Sequence, residues 1–174
     1  MKMKENGKKK EYLLAALSVI LAVVLDQFTK HLAVVNLKDN PSVKLIPGVF
    51  EPQYLENRGA AFGIMQNQQL FFIISTVVIM AVILFIYSRI PADKKYYPMK
   101  ICIVLVCAGA VGNLIDRIIN NYVVDFFYFS LIDFPIFNVA DCYVVIACFL
   151  FAFLILFYYK DEDLKFISFN KEKE

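Results

Sequence analysis

Four long apolar runs constrain the fold of this chain more than any other feature of its sequence. They cover roughly residues 12–35, 69–90, 99–119 and 138–159. One helical span of a bilayer needs about 20 mainly apolar residues, and each run is long enough. Of the 174 residues, 60% are hydrophobic, whereas soluble domains are about half apolar. The sequence therefore predicts an all-α membrane protein with four transmembrane helices, built as a single domain over residues 1–174.

The distribution of basic residues predicts how these helices are oriented. The net charge is only +2, which gives no reason to expect a nucleic-acid partner. Lysines and arginines cluster in three segments that fall on one side of a four-span protein: Lys2, Lys4, Lys8, Lys9 and Lys10; Arg89, Lys94, Lys95 and Lys100; and Lys160, Lys165, Lys171 and Lys173. By the positive-inside rule that side is cytoplasmic, so both termini are expected in the cytoplasm.

The first apolar run is expected to stay in the protein as a membrane span. It continues into Asp26 and Lys30, and no small-residue cleavage site follows it. A removed signal peptide has a shorter apolar region and such a cleavage site.

The connection between the first two spans has the pattern of a small sheet. Residues 43–55 mix β-branched and aromatic side chains, with turn signals at Pro41 and at Pro47-Gly48. Such a mixture favours short strands, and a structureless loop of this length is unusual in a compact domain. We therefore expect a β-cradle at about residues 41–63, on the outer membrane surface.

The cysteines predict neither a disulfide framework nor a metal centre. There are four, Cys102, Cys107, Cys142 and Cys148, and all lie in or beside apolar runs. They lack metal-ligand spacing, and His31 is the one histidine of the chain, so we expect no metal and no cofactor.

Polar side chains inside the spans are the candidates for function, because burying them in a membrane is costly. At about 1.5 Å per residue, Asp26 lies roughly 21 Å along the first span, in its outer half. The others lie near the outer ends of their spans. The sequence thus predicts a polar cluster at one depth, near the outer leaflet, formed by Asp26, Thr29, Lys30, Asn113, Asp116, Arg117, Asn138 and Asp141.

Each of these residues also has a purely structural interpretation. Asp26 and Lys30 are four residues apart and can pair on one helix face. Residues 116–117 can form a charged helix end or an interfacial anchor. Asn138 can act as an N-cap, and Asp141 as a first-turn acid favoured by the helix dipole. The common depth of all of them favours a functional site.

Two carboxyl groups suggest the chemistry of that site. Asp125 follows Val123-Val124 in the last outer connection, and Asp141 lies at the start of the fourth span. Two facing carboxyl groups can share one proton, so that one acts as base toward water and the other as acid toward a peptide group. A Ser or Cys nucleophile would need a histidine base, and His31 is expected at the outer rim instead.

Five motifs resemble those of the lipoprotein signal peptidase (signal peptidase II) family, and they occur in the family's order. They are D-Q-F-T-K at residues 26–30, N-R-G-A-A-F-G at 57–63, G-N-L-I-D-R at 112–117, V-V-D-F at 123–126 and F-N-V-A-D at 137–141. Together with the four spans they cover nearly the whole chain. One departure is Cys142, where many members carry Ser.

The resemblance implies an aspartyl endopeptidase with four transmembrane helices and a small β-cradle on the outer face. Its substrate would be a bacterial prolipoprotein that carries a diacylglyceryl group on its lipobox cysteine, cut just before that cysteine. The enzyme would work as a monomer in the cytoplasmic membrane, in contact with membrane lipid. Asp125 and Asp141 would be the catalytic dyad, and the residues that bind substrate or support the site would be Asn57, Gly59, Asn113, Arg117, Asn138, Ala140, Asp26, Lys30 and Asp116.

Two other classes of protein fit the apolar runs less well. A small transporter or proton relay would use the same intramembrane acids, but it would spread polar groups through the membrane depth. A structural subunit would present small residues at i, i+4 spacing on a helix face. Residues 108–112 supply such a patch in the third span, which we expect to serve helix packing within the chain.

Overall fold

The computed structural model describes residues 2–60 and 64–167 of the chain. Four helices within these residues are long and apolar enough to cross a membrane, which confirms the predicted fold class. They are α1 (Lys2–Leu37), α2 (Gln69–Arg89), α3 (Tyr97–Asn120) and α4 (Val139–Phe153), and a π-helical turn, Leu154–Tyr158, extends α4. Short 3-10 turns lie at Lys94–Tyr96, Ser130–Ile132 and Asp161–Ile167.

Local sequence explains where several helices begin and end. Pro98 lies in the first turn of α3, where its missing N–H removes no helical hydrogen bond. The same helix is followed by Asn121, whose φ of 63° is left-handed, a conformation that Asn tolerates better than most residues. Ile90, after α2, is extended because Pro91 disfavours the helical region for the residue before it.

Helix α3 lies at the centre and packs against α1, α2 and α4. Its small residues permit this close approach. A Cβ added to Gly112 would lie 2.5 Å from Asp26 Oδ2, and one added to Gly109 would lie 2.5 Å from the carbonyl oxygen of Ala140. The patch of small residues in the third span therefore packs against α1 and α4 of the same chain.

A small antiparallel sheet joins two distant connections. Strand β1 (Leu55–Asn57) pairs with β2 (Val123–Asp125), with Leu55 opposite Asp125 and Asn57 opposite Val123. The predicted sheet is thus present, but it is shorter than the segment predicted to form it. Residues 43–54 contribute an isolated bridge between Ile46 and Phe50 and backbone hydrogen bonds from residues 51 and 53 to the chain after β2. The pairing of β1 with β2 could not be predicted from the sequence. All three residues of β2 are buried, so this strand lacks the alternation of apolar and polar positions that identifies a half-buried strand.

The bundle has two chemically different ends. The sheet end carries β1, β2 and the first turn of α4, whereas the termini end carries the start of α1 and the residues after α4. Between them, the helices expose apolar side chains such as Phe149 and Phe157, each 75% exposed. An apolar surface of this extent suits lipid and not water.

Candidate active site

The sheet places Asp125 beside Asn57. Asp125 is the last residue of β2, and Asn57 lies diagonally across the ladder on the same face, because it pairs with Val123 two residues earlier. The Asn57 amide donates to Asp125 Oδ2 at 2.9 Å. Asp125 is only 1% exposed, so the fold holds this carboxyl group away from bulk water.

The first turn of α4 fixes the second carboxyl group. The backbone N–H of Asp141 donates to Asn138 Oδ1 at 3.0 Å, and the backbone N–H of Asn138 donates to Asp141 Oδ2 at 3.1 Å. This reciprocal pair is a capping box. The structural interpretation of these two residues is therefore correct, and the cap also sets the direction of the Asp141 side chain.

Asn138 links the two carboxyl groups. Its side-chain nitrogen donates to Asp125 Oδ1 at 2.6 Å and to Asn113 Oδ1 at 3.1 Å. The Asn113 amide in turn donates to Asp141 Oδ1 at 2.9 Å. Two asparagines thus connect Asp125 and Asp141, which are 16 residues apart in sequence and lie on different elements.

The environment of Asp125 favours its protonated form. Burial, and after it the charge of Asp141, raise the pKa of Asp125, and its net value is about 7. Hydrogen bonds from Asn57 and Asn138 and the charge of Lys30 act in the opposite direction. Near neutral pH this carboxyl group therefore exchanges a proton readily, as acid–base catalysis requires.

Lys30 lies at the centre of a buried ion cluster behind the two carboxyl groups. Its Nζ is 2.9 Å from Asp26 Oδ2 and 3.1 Å from Asp116 Oδ2, and each of these side chains is at most 3% exposed. It also donates to Asn113 Oδ1 at 2.8 Å. The expected pair within α1 is present, and a second acid from α3 completes the cluster.

The two acids of this cluster hold the backbone next to each candidate catalytic residue. Asp26 Oδ1 accepts from the N–H of Ala140 at 2.9 Å, and Asp116 Oδ2 accepts from the N–H of Val124 at 3.0 Å. Ala140 directly precedes one candidate aspartate and Val124 the other. The ion cluster thereby fixes the distance between α4 and β2.

Gln27 also belongs to this ion cluster, although it was not among the predicted site residues. Its amide nitrogen donates to Asp26 Oδ2, Gly112 O and Asp116 Oδ1, at 3.2, 3.1 and 3.0 Å. The cost of a polar residue inside an apolar span would have identified it, since that rule had already identified its neighbours.

A cavity of about 450 Å³ opens onto the two carboxyl groups. Six of the predicted site residues line it, together with an apolar wall from the last connection and from α4. The lining residues include Asn57, Gly59, Asn113, Arg117, Asp125, Asp141, Cys142, Val144, Val145 and residues 134–137. Asn138, Ala140, Asp26, Lys30 and Asp116 lie behind this lining, where they support the site without facing the cavity.

Arg117 connects the cavity to the segment after β1. Its Nη2 donates to the carbonyl oxygen of Gly59 at 3.4 Å, and its guanidinium lies 4.8 Å from the ring centre of Phe72. A Cβ on Gly59 would lie 2.5 Å from the carbonyl oxygen of Ile64. A residue with a side chain would therefore not fit at position 59 without a shift of the backbone. The remainder of this motif, residues 61–63, lies outside the described residues.

Comparison with known proteins agrees with the motifs. The profile of the Peptidase_A8 family, described as signal peptidase (SPase) II, matches residues 18–157. The lipoprotein signal peptidase of Streptococcus thermophilus strain CNRZ 1066 is 44% identical over 145 residues, which cover 83% of this chain and 92% of that protein. The lipoprotein signal peptidase of Brevibacillus brevis is 48% identical over 136 residues, covering 78% and 87%.

The fold also resembles a solved structure. A bacterial membrane enzyme determined by the in meso method superimposes with a TM-score of 0.72 at 33% sequence identity. The match covers 92% of this chain and 93% of that one.

Proposed function

This chain belongs to the signal peptidase II family, and we propose that it is a membrane-bound aspartic endopeptidase that removes signal peptides from bacterial prolipoproteins. The observation that carries this proposal is the pairing of Asp125 and Asp141 through Asn138 and Asn113 at the wall of one cavity. The family supports the substrate class, and the geometry supports these two aspartates as the catalytic groups.

The two aspartates carry one shared proton between them. The ionised carboxylate takes a proton from a water molecule, whose oxygen attacks the carbonyl carbon of the scissile peptide bond. The protonated carboxyl group donates its proton to the carbonyl oxygen as the tetrahedral intermediate forms. When the intermediate collapses, the C–N bond breaks and the leaving nitrogen takes a proton from the protonated carboxyl group. One hydroxyl of the intermediate gives its proton to the other carboxylate as the C=O bond re-forms, which restores the shared proton. Asp125 suits this exchange because burial raises its pKa to about 7.

The remaining polar groups of the cavity bind and orient the peptide. Arg117 presents N–H donors, and Asn57 and Asn113 present amides, on the same cavity as the dyad. These groups match the carbonyl and N–H groups of an extended peptide backbone. The ion cluster of Asp26, Lys30 and Asp116 keeps α4 and β2 in position and does not contact substrate.

The cut is expected just before a diacylglyceryl-modified cysteine. The cavity has an apolar wall, to which Val144 and Val145 of α4 contribute, and these residues lie where α4 enters the membrane. Lipid chains on the substrate can therefore remain in the bilayer while the scissile bond reaches the dyad. With both termini in the cytoplasm, as the basic residues favour, this site lies near the outer leaflet.

A proton relay built on the same acids fits the structure less well than a peptidase does. From Ile101 to Gly112, α3 carries only aliphatic residues, cysteine and glycine, and these 12 residues span roughly 18 Å. The polar cluster at the sheet end is thus separated along α3 from Lys100 at the termini end, whereas proton relays in membranes are built from chains of Asp, Glu or His side chains.

Cleavage of a prolipoprotein peptide tests the proposal. Purified protein in lipid is given one precursor peptide with a diacylglyceryl-modified cysteine and a second with an unmodified cysteine. We expect only the modified peptide to be cut, with the new N-terminus at the modified cysteine as read by mass spectrometry. Equal cutting of both peptides would contradict the lipid requirement, and no cutting of either would contradict the peptidase activity.

A further inference from the structure

An apolar groove lies at the termini end of the bundle, between α2 and α4, with α3 as its floor. Its volume is about 240 Å³, and its lining side chains are aliphatic, aromatic or sulfur-containing. Cys148 and Phe151 form one wall, and Phe151 is 43% exposed, so this wall reaches the surface of the bundle. The full lining is Ile83, Ile86, Met99, Cys102, Ile103, Val106, Ala147, Cys148 and Phe151.

This groove continues the face of α4 that carries the catalytic cavity. Asp141, Val144 and Val145 line the cavity, and Cys148 and Phe151 line the groove. Residues at these spacings of three and four lie on one helix face. Only one turn of helix separates the last cavity residue of α4 from the first exposed groove residue.

Helix α3, which runs in the opposite direction to α4, also lines both the cavity and the groove. Arg117 and Asn113 line the cavity, and Val106, Ile103 and Met99 line the groove farther along the same helix. The cavity and the groove are therefore two ends of one track along α3 and α4. Its sheet end is polar and its termini end is apolar.

The substrate of a signal peptidase has matching polarity along its length. Its scissile bond must reach the dyad, and the residues before that bond include an apolar region of about 7–15 residues. On α4, Cys148 and Phe151 are 7 and 10 residues beyond Asp141, or about 10 and 15 Å along the axis. An apolar helix that starts at the cavity and follows the track thus has its apolar region at the level of the groove.

We propose that this groove seats the apolar helix of the uncleaved signal peptide, so that helix packing in the membrane contributes to substrate binding. This inference rests on the proposed function, because it takes the prolipoprotein as the substrate. Ala147 is only 1% exposed and, with Cys102 and Cys148, keeps the groove deep. Small residues of this kind allow close helix approach in membranes, where van der Waals packing is the main attraction.

Filling the groove tests the proposal kinetically. For each variant we compare kcat/KM for two substrates, a complete lipidated precursor and a lipidated peptide without the apolar region. The quantity of interest is the ratio of the first value to the second. Cys148→Trp should lower this ratio about tenfold, because the added ring overpacks the groove. The matched control is Ile146→Trp, since Ile146 is 55% exposed and lies outside the groove, and its ratio should equal that of the parent. An unchanged ratio in Cys148→Trp would overturn the proposal.

A second measurement detects binding of the precursor in the groove without cleavage. In an Asp125→Asn background, a single cysteine is moved through the apolar region of the precursor, and disulfide formation with Cys148 is driven by copper phenanthroline. We expect a maximum about two helical turns before the scissile bond, lost in Cys148→Ala. Crosslinking without any cleavage by the parent would contradict the proposed function alone, whereas cleavage without crosslinking at any position would contradict the groove alone.

Discussion

The environment of Asp125 differs strongly from that of a surface carboxyl group. It is buried in the sheet, close to the negative charge of Asp141, and its pKa is raised to about 7. The two asparagines that donate to it partly offset this rise. Such a balance between burial and hydrogen bonding is how proteins adjust a carboxyl group to acid–base work near neutral pH.

The pH dependence of activity should follow the ionisation of Asp125. Because its pKa is raised, this group keeps its proton below about pH 7 and loses it as the pH rises further, so kcat/KM should fall on the alkaline side. Asn57→Ala removes a hydrogen bond that favours the ionised form and should shift this alkaline fall to higher pH. The measurement is kcat/KM from about pH 5 to 9.

The control for that shift is Asp39→Asn, because Asp39 is exposed and lies outside the cavity. Its profile should coincide with that of the parent. A fall at the same pH in Asn57→Ala, or at a lower pH, would contradict the assignment of the alkaline limb to Asp125.

The polar residues of the site were predictable from the sequence, but their partners were not. Asp26, Lys30 and Asp116 were expected at one level, because the helical rise per residue is fixed. The contact of Lys30 with Asp116 as well as Asp26 could not be predicted. That contact depends on how α1 and α3 are rotated about their axes, which packing decides and hydropathy does not.

Among the helices, the contact between α1 and α3 depends on Gly112. A methyl group there would meet Asp26 Oδ2 at 2.5 Å and would approach the Cβ of Ala140 at 3.3 Å. Gly112→Ala should therefore push α1 and α3 apart, loosen the ion cluster and cost about 1–3 kcal/mol of stability. Thermal unfolding followed by a thiol-reactive dye measures this, because Cys102 and Cys107 are buried.

Gly7→Ala provides the matched control, since a Cβ at Gly7 would have nothing within 4 Å. Its unfolding temperature should equal or slightly exceed that of the parent, as alanine favours helix. If Gly112→Ala were as stable as Gly7→Ala, the close packing of α1 on α3 would not limit stability.

The four helices were predictable because each apolar run matches the thickness of a bilayer. The sheet was predictable only in part. Residues 43–55 signal strands, yet the strand that pairs with β1 comes from Val123–Asp125, some 70 residues later. Pairing between distant segments closes a long loop, which costs chain entropy, but it leaves no local pattern in the sequence from which the partner strand could be predicted.

For the whole molecule, the charge distribution predicts that both termini lie in the cytoplasm. A reporter enzyme that is active only outside the cytoplasm should be inactive when fused after Glu174. The same reporter inserted at Gly48, in the connection between α1 and α2, should be active. The opposite pattern would place the dyad on the cytoplasmic side and contradict the proposed site near the outer leaflet.

The proposed hydrolysis requires that Asp125 and Asp141 share one proton. The most direct test is the cleavage rate of a lipidated precursor by Asp125→Asn and by Asp141→Asn, each compared with Asp39→Asn and checked for an unfolding transition. We expect both dyad variants to fold and to lose activity by about a thousandfold, while the Asp39 variant cleaves like the parent. Folded dyad variants that cleave at the parent's rate would show that other groups carry out the hydrolysis.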